Sequence, residues 1–195
     1  MQVQNFVFFG IVGSGKGTQV KLLIDFLKKG DGKECVYACP GVEYRKIVDS
    51  GNYTGELIKE SVAAGHLQPG FLTDAIVANI FMTSLTPDKH IITDGYPREV
   101  TQSQSLESMF KFYKRQDVKI IYIELSEAEA MKRNLLRGRQ DDTEQGLKKR
   151  FEEYRNKVVP AMDYFKGKPG FTIYTINGEQ SVEDVHKDII QALGF

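Results

Sequence analysis

The sequence predicts an α/β protein with five parallel strands and helices on both faces of the sheet. Three observations predict it. Short apolar, β-prone runs recur along the chain and alternate with segments whose apolar residues fall at helical spacing. The first run, Phe6-Val-Phe-Phe9, breaks at Gly10 into a glycine-rich turn that leads straight into a helix pattern. Finally, the 195 residues contain no internal repeat, low-complexity tract or linker, so residues 1–195 read as one domain. A chain of this size buries roughly 70% of its unfolded surface.

Each element follows in order. Phe6 to Phe9 is too short and too β-prone for a helix, and a continuous apolar run suits a parallel strand buried on both faces. After residues 10–18, Val20, Leu23, Ile24 and Leu27 mark the first helix, and Lys29-Gly-Asp-Gly-Lys33 is a turn. Cys35 to Cys39 is the second strand, stopped by Pro40-Gly41. Glu43 to Asp49, Thr54 to Ala64 and Phe71 to Leu85 read as three helices, a helical insertion at about 40–85 between strands two and three. His90-Ile-Ile-Thr-Asp94 is the third strand and ends at a carboxylate. Thr101 to Arg115 is an amphipathic helix, and Val118 to Leu125 is the fourth strand. Ser126-Glu-Ala-Glu129 is a capping box that opens a helix running through Leu136. Asp141 to Glu144 caps the next helix, whose apolar face is Leu147, Phe151, Tyr154, Val158 and Met162. Phe171 to Ile176 is the last strand, and Ser181-x-x-Asp184 caps a final helix that turns Val182, Val185, Ile189 and Leu193 inward.

Composition narrows the function classes. Hydrophobic residues make up 41% and charged residues 27%, and 26 basic residues balance 26 acidic ones. With no net field to attract a polyanion, nucleic-acid polymers and membranes are not expected partners, and any anion site must be local. The sequence carries no leader pattern and no apolar run long enough to span a bilayer, which points to the cytoplasm. Cys35 and Cys39 read as two reduced core thiols on one face of a strand, since a C-x3-C pair without matching His is a poor metal site. His66, His90 and His186 have no partner spacing.

Chemistry concentrates in Gly10-Ile-Val-Gly-Ser-Gly-Lys-Gly-Thr18. Glycines let backbone N–H groups approach an anion, the following helix N-terminus adds partial positive charge, and Lys16 adds a mobile ammonium. Gly10-x4-Gly15-Lys16 fits the phosphate-loop spacing, although Gly17 stands at the usual Ser/Thr position and the hydroxyl comes at Thr18. A plain glycine turn is the alternative, but four glycines and a lysine directly before a helix are unneeded for a turn alone. The reading therefore assigns Gly13, Ser14, Gly15, Lys16, Gly17 and Thr18 to nucleotide phosphates. Asp94, at the carboxyl end of an apolar strand, suits Mg2+ held through water. Its alternative is a turn aspartate before Gly95.

Three further elements accompany this loop in order: Asp94-Gly-Tyr-Pro-Arg98 with Gln102, Arg137-Gly-Arg139-x-Asp-Asp142, and Lys-Lys-Arg150-Phe. Together they resemble the nucleoside monophosphate kinases, adenylate kinase most of all, over nearly the whole chain. The resemblance implies a P-loop NTPase-type sheet and Mg2+-dependent phosphoryl transfer between ATP and a monophosphate, with AMP preferred and UMP/CMP kinase as the alternative. It implies a monomer that closes its helical insertion over the monophosphate and a lid at about 137–142 over ATP. It places Arg133 near the ATP base and Arg137, Arg139 and Arg150 on the phosphates in flight. It gives Gly41, Arg45, Gly95, Arg98 and Gln102 to the monophosphate, with Arg139 and Arg150 shared.

The chemistry of the residues agrees with that resemblance. Phosphoryl transfer between two nucleotides gathers negative charge, so positioning and cationic stabilisation carry most of the catalysis. Arginine suits this work because it stays charged and clamps two oxygens at once. Arg133 also lies four residues after Glu129, the spacing of an ordinary surface ion pair. Three departures from the family stand out. Val12 replaces the common loop proline, which should loosen the loop. Pro40 and Val42 replace the usual Thr and Asp. Only Gly138 separates Arg137 from Arg139, which leaves almost no lid, excludes the zinc of some long lids, and should let water reach ATP. A non-catalytic nucleotide-binding module is the reading from another class. Lys16→Ala separates the two: the fold should persist while transfer falls by roughly 10³ or more. Unchanged melting with near-normal turnover would reject the phosphate-loop assignment.

Overall fold

A computed structural model describes residues 2–63, 66–138 and 142–195. Its centre is a five-stranded sheet in which every pairing is parallel: β1 (Asn5–Phe9), β2 (Cys35–Ala38), β3 (His90–Asp94), β4 (Val118–Glu124) and β5 (Phe171–Asn177), in the order β2-β3-β1-β4-β5. β1 is central and all five of its residues are buried, as its continuous apolar run requires. The pleat sorts its side chains between two layers. Phe6 and Phe8 pack with Val20, Leu23 and Leu27 of α1 (Lys16–Asp31) and with Val185, Ile189 and Leu193 of α9 (Val182–Leu193). Val7 and Phe9 pack on the other face, against Val77 and Phe81 of α4 (Gly70–Ser84), Leu106 and Phe110 of α5 (Val100–Phe112), and Ala161 and Met162 of α8 (Val159–Asp163).

The remaining helices stand where the chain leaves the sheet. α2 (Pro40–Asp49), α3 (Tyr53–Ala63) and α4 lie between β2 and β3. α4 also belongs to the core, through Val77 and Phe81. Between α2 and α3 the contact is backbone to backbone: a Cβ at Gly55 would lie 2.4 Å from the carbonyl oxygen of Ile47. α6 (Glu127–Arg137) and α7 (Glu144–Glu153) flank the active end of the sheet and share a third apolar cluster of Ile11, Leu125, Ala130, Leu147 and Phe151.

Several expectations need correction. α2 begins at Pro40, one residue after the strand exit, because proline is well suited to a first helical turn. The thiols are free but only half-buried, and Cys39 sits at the N-cap of α2 instead of on the strand. The cap of α7 agrees with expectation: Thr143, within the Asp141–Glu144 segment, accepts from Gly146 N at 3.1 Å, while Asp141 lies outside the described residues. The periodicity of α7 is interrupted by a π-helical turn at Tyr154–Val158, which the apolar spacing did not reveal. The caps at Ser126 and Ser181 form as expected.

His90, read from sequence as lacking partners, is fully buried at the far end of β3. Its Nδ1 accepts from Gln4 N at 2.9 Å, so its proton sits on Nε2, 3.4 Å from Asp31. Burial lowers the pKa of His90, with the hydrogen bond to Asp31 opposing. The unfolded chain therefore binds a proton more readily than the native one. Stability contributed here is complete above pH about 6.5 and is lost as pH falls below it. Thermal melts between pH 7.5 and 5 should show that decline, and His90→Gln should flatten it. An equal slope in both proteins would remove His90 from the account.

Candidate active site

Parallel strands place their carboxyl ends together, and here β1 and β3 align so that Phe8 pairs with Asp94. The phosphate loop thus springs from the sheet beside the Asp94 carboxylate. Gly13 and Gly15 both take φ near 89°, which L side chains rarely adopt. Gly10 leaves no room for a side chain either, since a Cβ there would approach the carbonyl oxygen of Ile123 to 2.6 Å. Gly17 starts α1 close to the carboxylate, with its missing Cβ 3.8 Å from Asp94 Oδ2. Ser14 is buried and accepts from Lys16 Nζ at 3.3 Å, whereas Thr18 is exposed.

Lys16 folds back over the loop. Its Nζ donates to Gly10 O at 2.7 Å and to Ile11 O at 3.0 Å, so the ammonium is held over the turn by backbone carbonyls. Desolvation lowers its pKa to about 8; Asp94 opposes that shift, and the guanidiniums of Arg98 and Arg137 reinforce it. Desolvation also lowers the Arg98 pKa, with Arg150 pushing the same way and Asp94 opposing. These mutual influences put Lys16, Asp94, Arg98, Arg137 and Arg150 in one electrostatic neighbourhood. The Asp94 carboxylate accepts from Tyr37 OH at 3.1 Å, and burial followed by the Asp94 charge raises the Tyr37 pKa. One neutral donor leaves the carboxylate capacity for a hydrated Mg2+, so the donor chemistry fits that ion.

The arginines are oriented by groups that sequence reasoning passed over. Asp142, quoted only as part of a motif, has a fully buried carboxylate. It accepts from Arg137 Nε and Nη2, both at 2.9 Å, and from Arg150 Nη1 at 3.4 Å. Asn134, also buried, accepts from Arg137 Nη2 at 2.6 Å and donates to Val12 O at 2.9 Å. The available signal was a polar residue four positions after Ala130, on the apolar face of α6. Arg133 is occupied by the surface alternative: its Nε donates to Glu129 Oε1 at 2.9 Å. Arg139 lies outside the described residues, as do residues 140 and 141 of the expected lid.

Across the cleft, Arg98 Nε donates to Gly95 O at 2.8 Å, and a Cβ on Gly95 would come within 2.9 Å of Arg98 Nη2. The buried Gln102 accepts from Arg98 N at 2.8 Å through Oε1, which turns its Nε2 toward Gly70. Arg45 is exposed on α2, with Gly41 one turn before it. Tyr44 OH and Thr73 Oγ1 pair at 2.5 Å, and Thr73 donates on to Pro69 O, adding two hydroxyls near the wall that carries Gln102. Gln68 donates to Ser61 Oγ at 3.1 Å, so its polar head is engaged within the helical insertion.

Comparisons with known proteins agree with this geometry. A family model described as Adenylate kinase matches residues 8–169. An adenylate kinase of Bacteroides fragilis is 32% identical over 194 residues, covering 97% of each chain. That of Corynebacterium urealyticum is 32% identical over 190 residues, covering 96% of this chain and 97% of its own. One from Prochlorococcus marinus is also 32% identical, covering 97% and 96%.

The position of Lys16 has a pH consequence. An ammonium with a pKa of about 8 loses its proton in the free protein above that pH, while bound phosphates would restore it. A profile of kcat/KM for ATP reports the free protein, and a profile of kcat reports the bound one. The first should fall above pH 8 and the second should hold to higher pH. A kcat/KM profile flat to pH 10 would contradict the electrostatics of this site.

Proposed function

The chain belongs to the adenylate kinase family, and from that premise we infer how its residues divide the work of moving a phosphoryl group from ATP to AMP, giving two ADP. One observation supports the division: Lys16 of the phosphate loop feels the charges of Asp94, Arg98 and Arg137, while Arg150 acts on Arg98 and shares the Asp142 carboxylate with Arg137. The loop amides and Lys16 bind the outer phosphates of ATP. Arg137 and Arg150 stabilise charge on the transferred oxygens, and Arg139 joins them by its place in the sequence motif. Arg98 and Arg45 hold the phosphate of the monophosphate, next to Gly41 and Gly95. Arg133 borders the ATP base once its pair with Glu129 gives way. Asp94 would hold Mg2+ through water, and the ion supplies charge neutralisation on the ATP phosphates.

This division needs no general base. An acceptor phosphate is already an anion at neutral pH, so the residues have only to align it and cancel repulsion. The helical insertion between β2 and β3 closes over the monophosphate. The protein works as a cytoplasmic monomer on ATP and a free nucleotide.

Choice of acceptor rests on Gln102. With Oε1 turned to Arg98 N, the Nε2 donor is the group we assign to the base. A donor suits ring nitrogens that accept, as in adenine and cytosine, and opposes the ring N–H of guanine and uracil. Membership of the adenylate kinase family favours AMP over CMP. Assayed at equal concentration, AMP should be the best acceptor, with CMP ahead of GMP and UMP. Gln102→Ala should lower kcat/KM for AMP by roughly one to two decades and leave ATP affinity unchanged. Should UMP or CMP outrun AMP, Gln102 does not read adenine and the pyrimidine alternative takes over.

A further inference from the structure

We propose that Asn134 is a positioning residue for phosphoryl transfer, tying the phosphate loop to the arginine that serves it. The inference rests on the reading that the loop and Arg137 hold ATP. Sequence reasoning expected Val12, in place of proline, to loosen the loop. The structure supplies an external brace at that residue. Asn134 is fully buried, and its Nδ2 donates to Val12 O at 2.9 Å and to Ala130 O at 2.7 Å. Its Oδ1 accepts from Arg137 Nη2 at 2.6 Å. Both donor hydrogens and an acceptor site are therefore used, which fixes the amide orientation.

A second observation supports the brace independently. Gly13 follows Val12, and a Cβ built there would lie 2.3 Å from Asn134 Nδ2. The loop is glycine at this position not only for its backbone angle but to admit the amide. One side chain thus sets the distance between the loop backbone and the guanidinium. A shift at either end is transmitted to the other, because the amide is short, planar and bonded at each corner. In physical terms this is preorganisation: the loop is held in its binding shape before nucleotide arrives. Proline at residue 12 would achieve the same end from within the chain by restricting backbone rotation.

Asn134→Leu tests the idea, because leucine keeps the branched shape beside an apolar cluster and removes every hydrogen bond. The melting temperature should stay within about 3 °C of the parent protein. kcat/KM for ATP should fall roughly tenfold, with the KM for AMP at saturating ATP unchanged. Adding Val12→Pro to this variant should recover most of the loss, which a merely structural role would not allow. Amide hydrogen exchange of residues 13–17 in the nucleotide-free protein should be several-fold faster in the leucine variant. Unchanged kinetics, or a loss that tracks melting temperature and ignores Val12→Pro, would overturn the proposal. If the double variant does not fold, the exchange comparison decides alone, and unchanged exchange rejects the brace. Exchange also separates this proposal from the functional reading: absent transferase activity in the parent protein would remove the reading while the brace still stood or fell by exchange.

Discussion

Mutual repulsion among cations confined to one cleft is the constraint that the rest of the structure answers. Arg98 and Arg137 lie close enough to Lys16 to lower its proton affinity, and Arg150 does the same to Arg98. Each is therefore anchored. Lys16 is held by loop carbonyls, Arg98 by Gly95 O, and Arg137 and Arg150 by the single buried carboxylate of Asp142. Asp94 is the second counter-charge. Losing Asp142 would remove the one carboxylate that both guanidiniums share, which is why a residue that need touch no substrate matters to the site.

Those anchors work only if their own positions are firm, and the sheet makes them so. The loop, β3 with Asp94, and the strand exit before α6 all leave the carboxyl end of a sheet packed on both faces. Phenylalanines alternate across β1 into two separate apolar layers, so neither layer can relax without straining the other. Tyr96, completely buried, extends the same logic to the acceptor side: its hydroxyl donates to Asp74 Oδ1 at 2.7 Å, and Ser105 Oγ reaches Asp74 Oδ2 at 3.1 Å. α4 and α5 are thereby tied together behind Arg98.

Strands and loop glycines were readable in the sequence because their signals are local: apolar runs bounded by glycine, and backbone angles that only glycine tolerates easily. Arg137, Arg150 and Asp94 drew notice for a different reason, through motif spacing. What the sequence did not reveal are the residues whose roles depend on distant partners. Asn134 meets Val12 across 122 positions, and Tyr37 meets Asp94 across 57. No periodicity encodes such a meeting. The half-buried thiols and the π-helical turn were missed for the same reason, since each depends on what packs around it. Arg133 illustrates the opposite case, where a purely local spacing of four correctly anticipated its partner Glu129.

The cation cluster also bears on the whole molecule. The fold holds like charges near one another, and among the described residues the carboxylates of Asp94 and Asp142 offset them. A polyanion that enters adds negative charge to this cluster before it serves as a substrate. Nucleotide binding and folding are then thermodynamically linked through phosphate charge. On that view the resistance of the chain to unfolding rises with the number of phosphates bound and is nearly indifferent to the base attached to them.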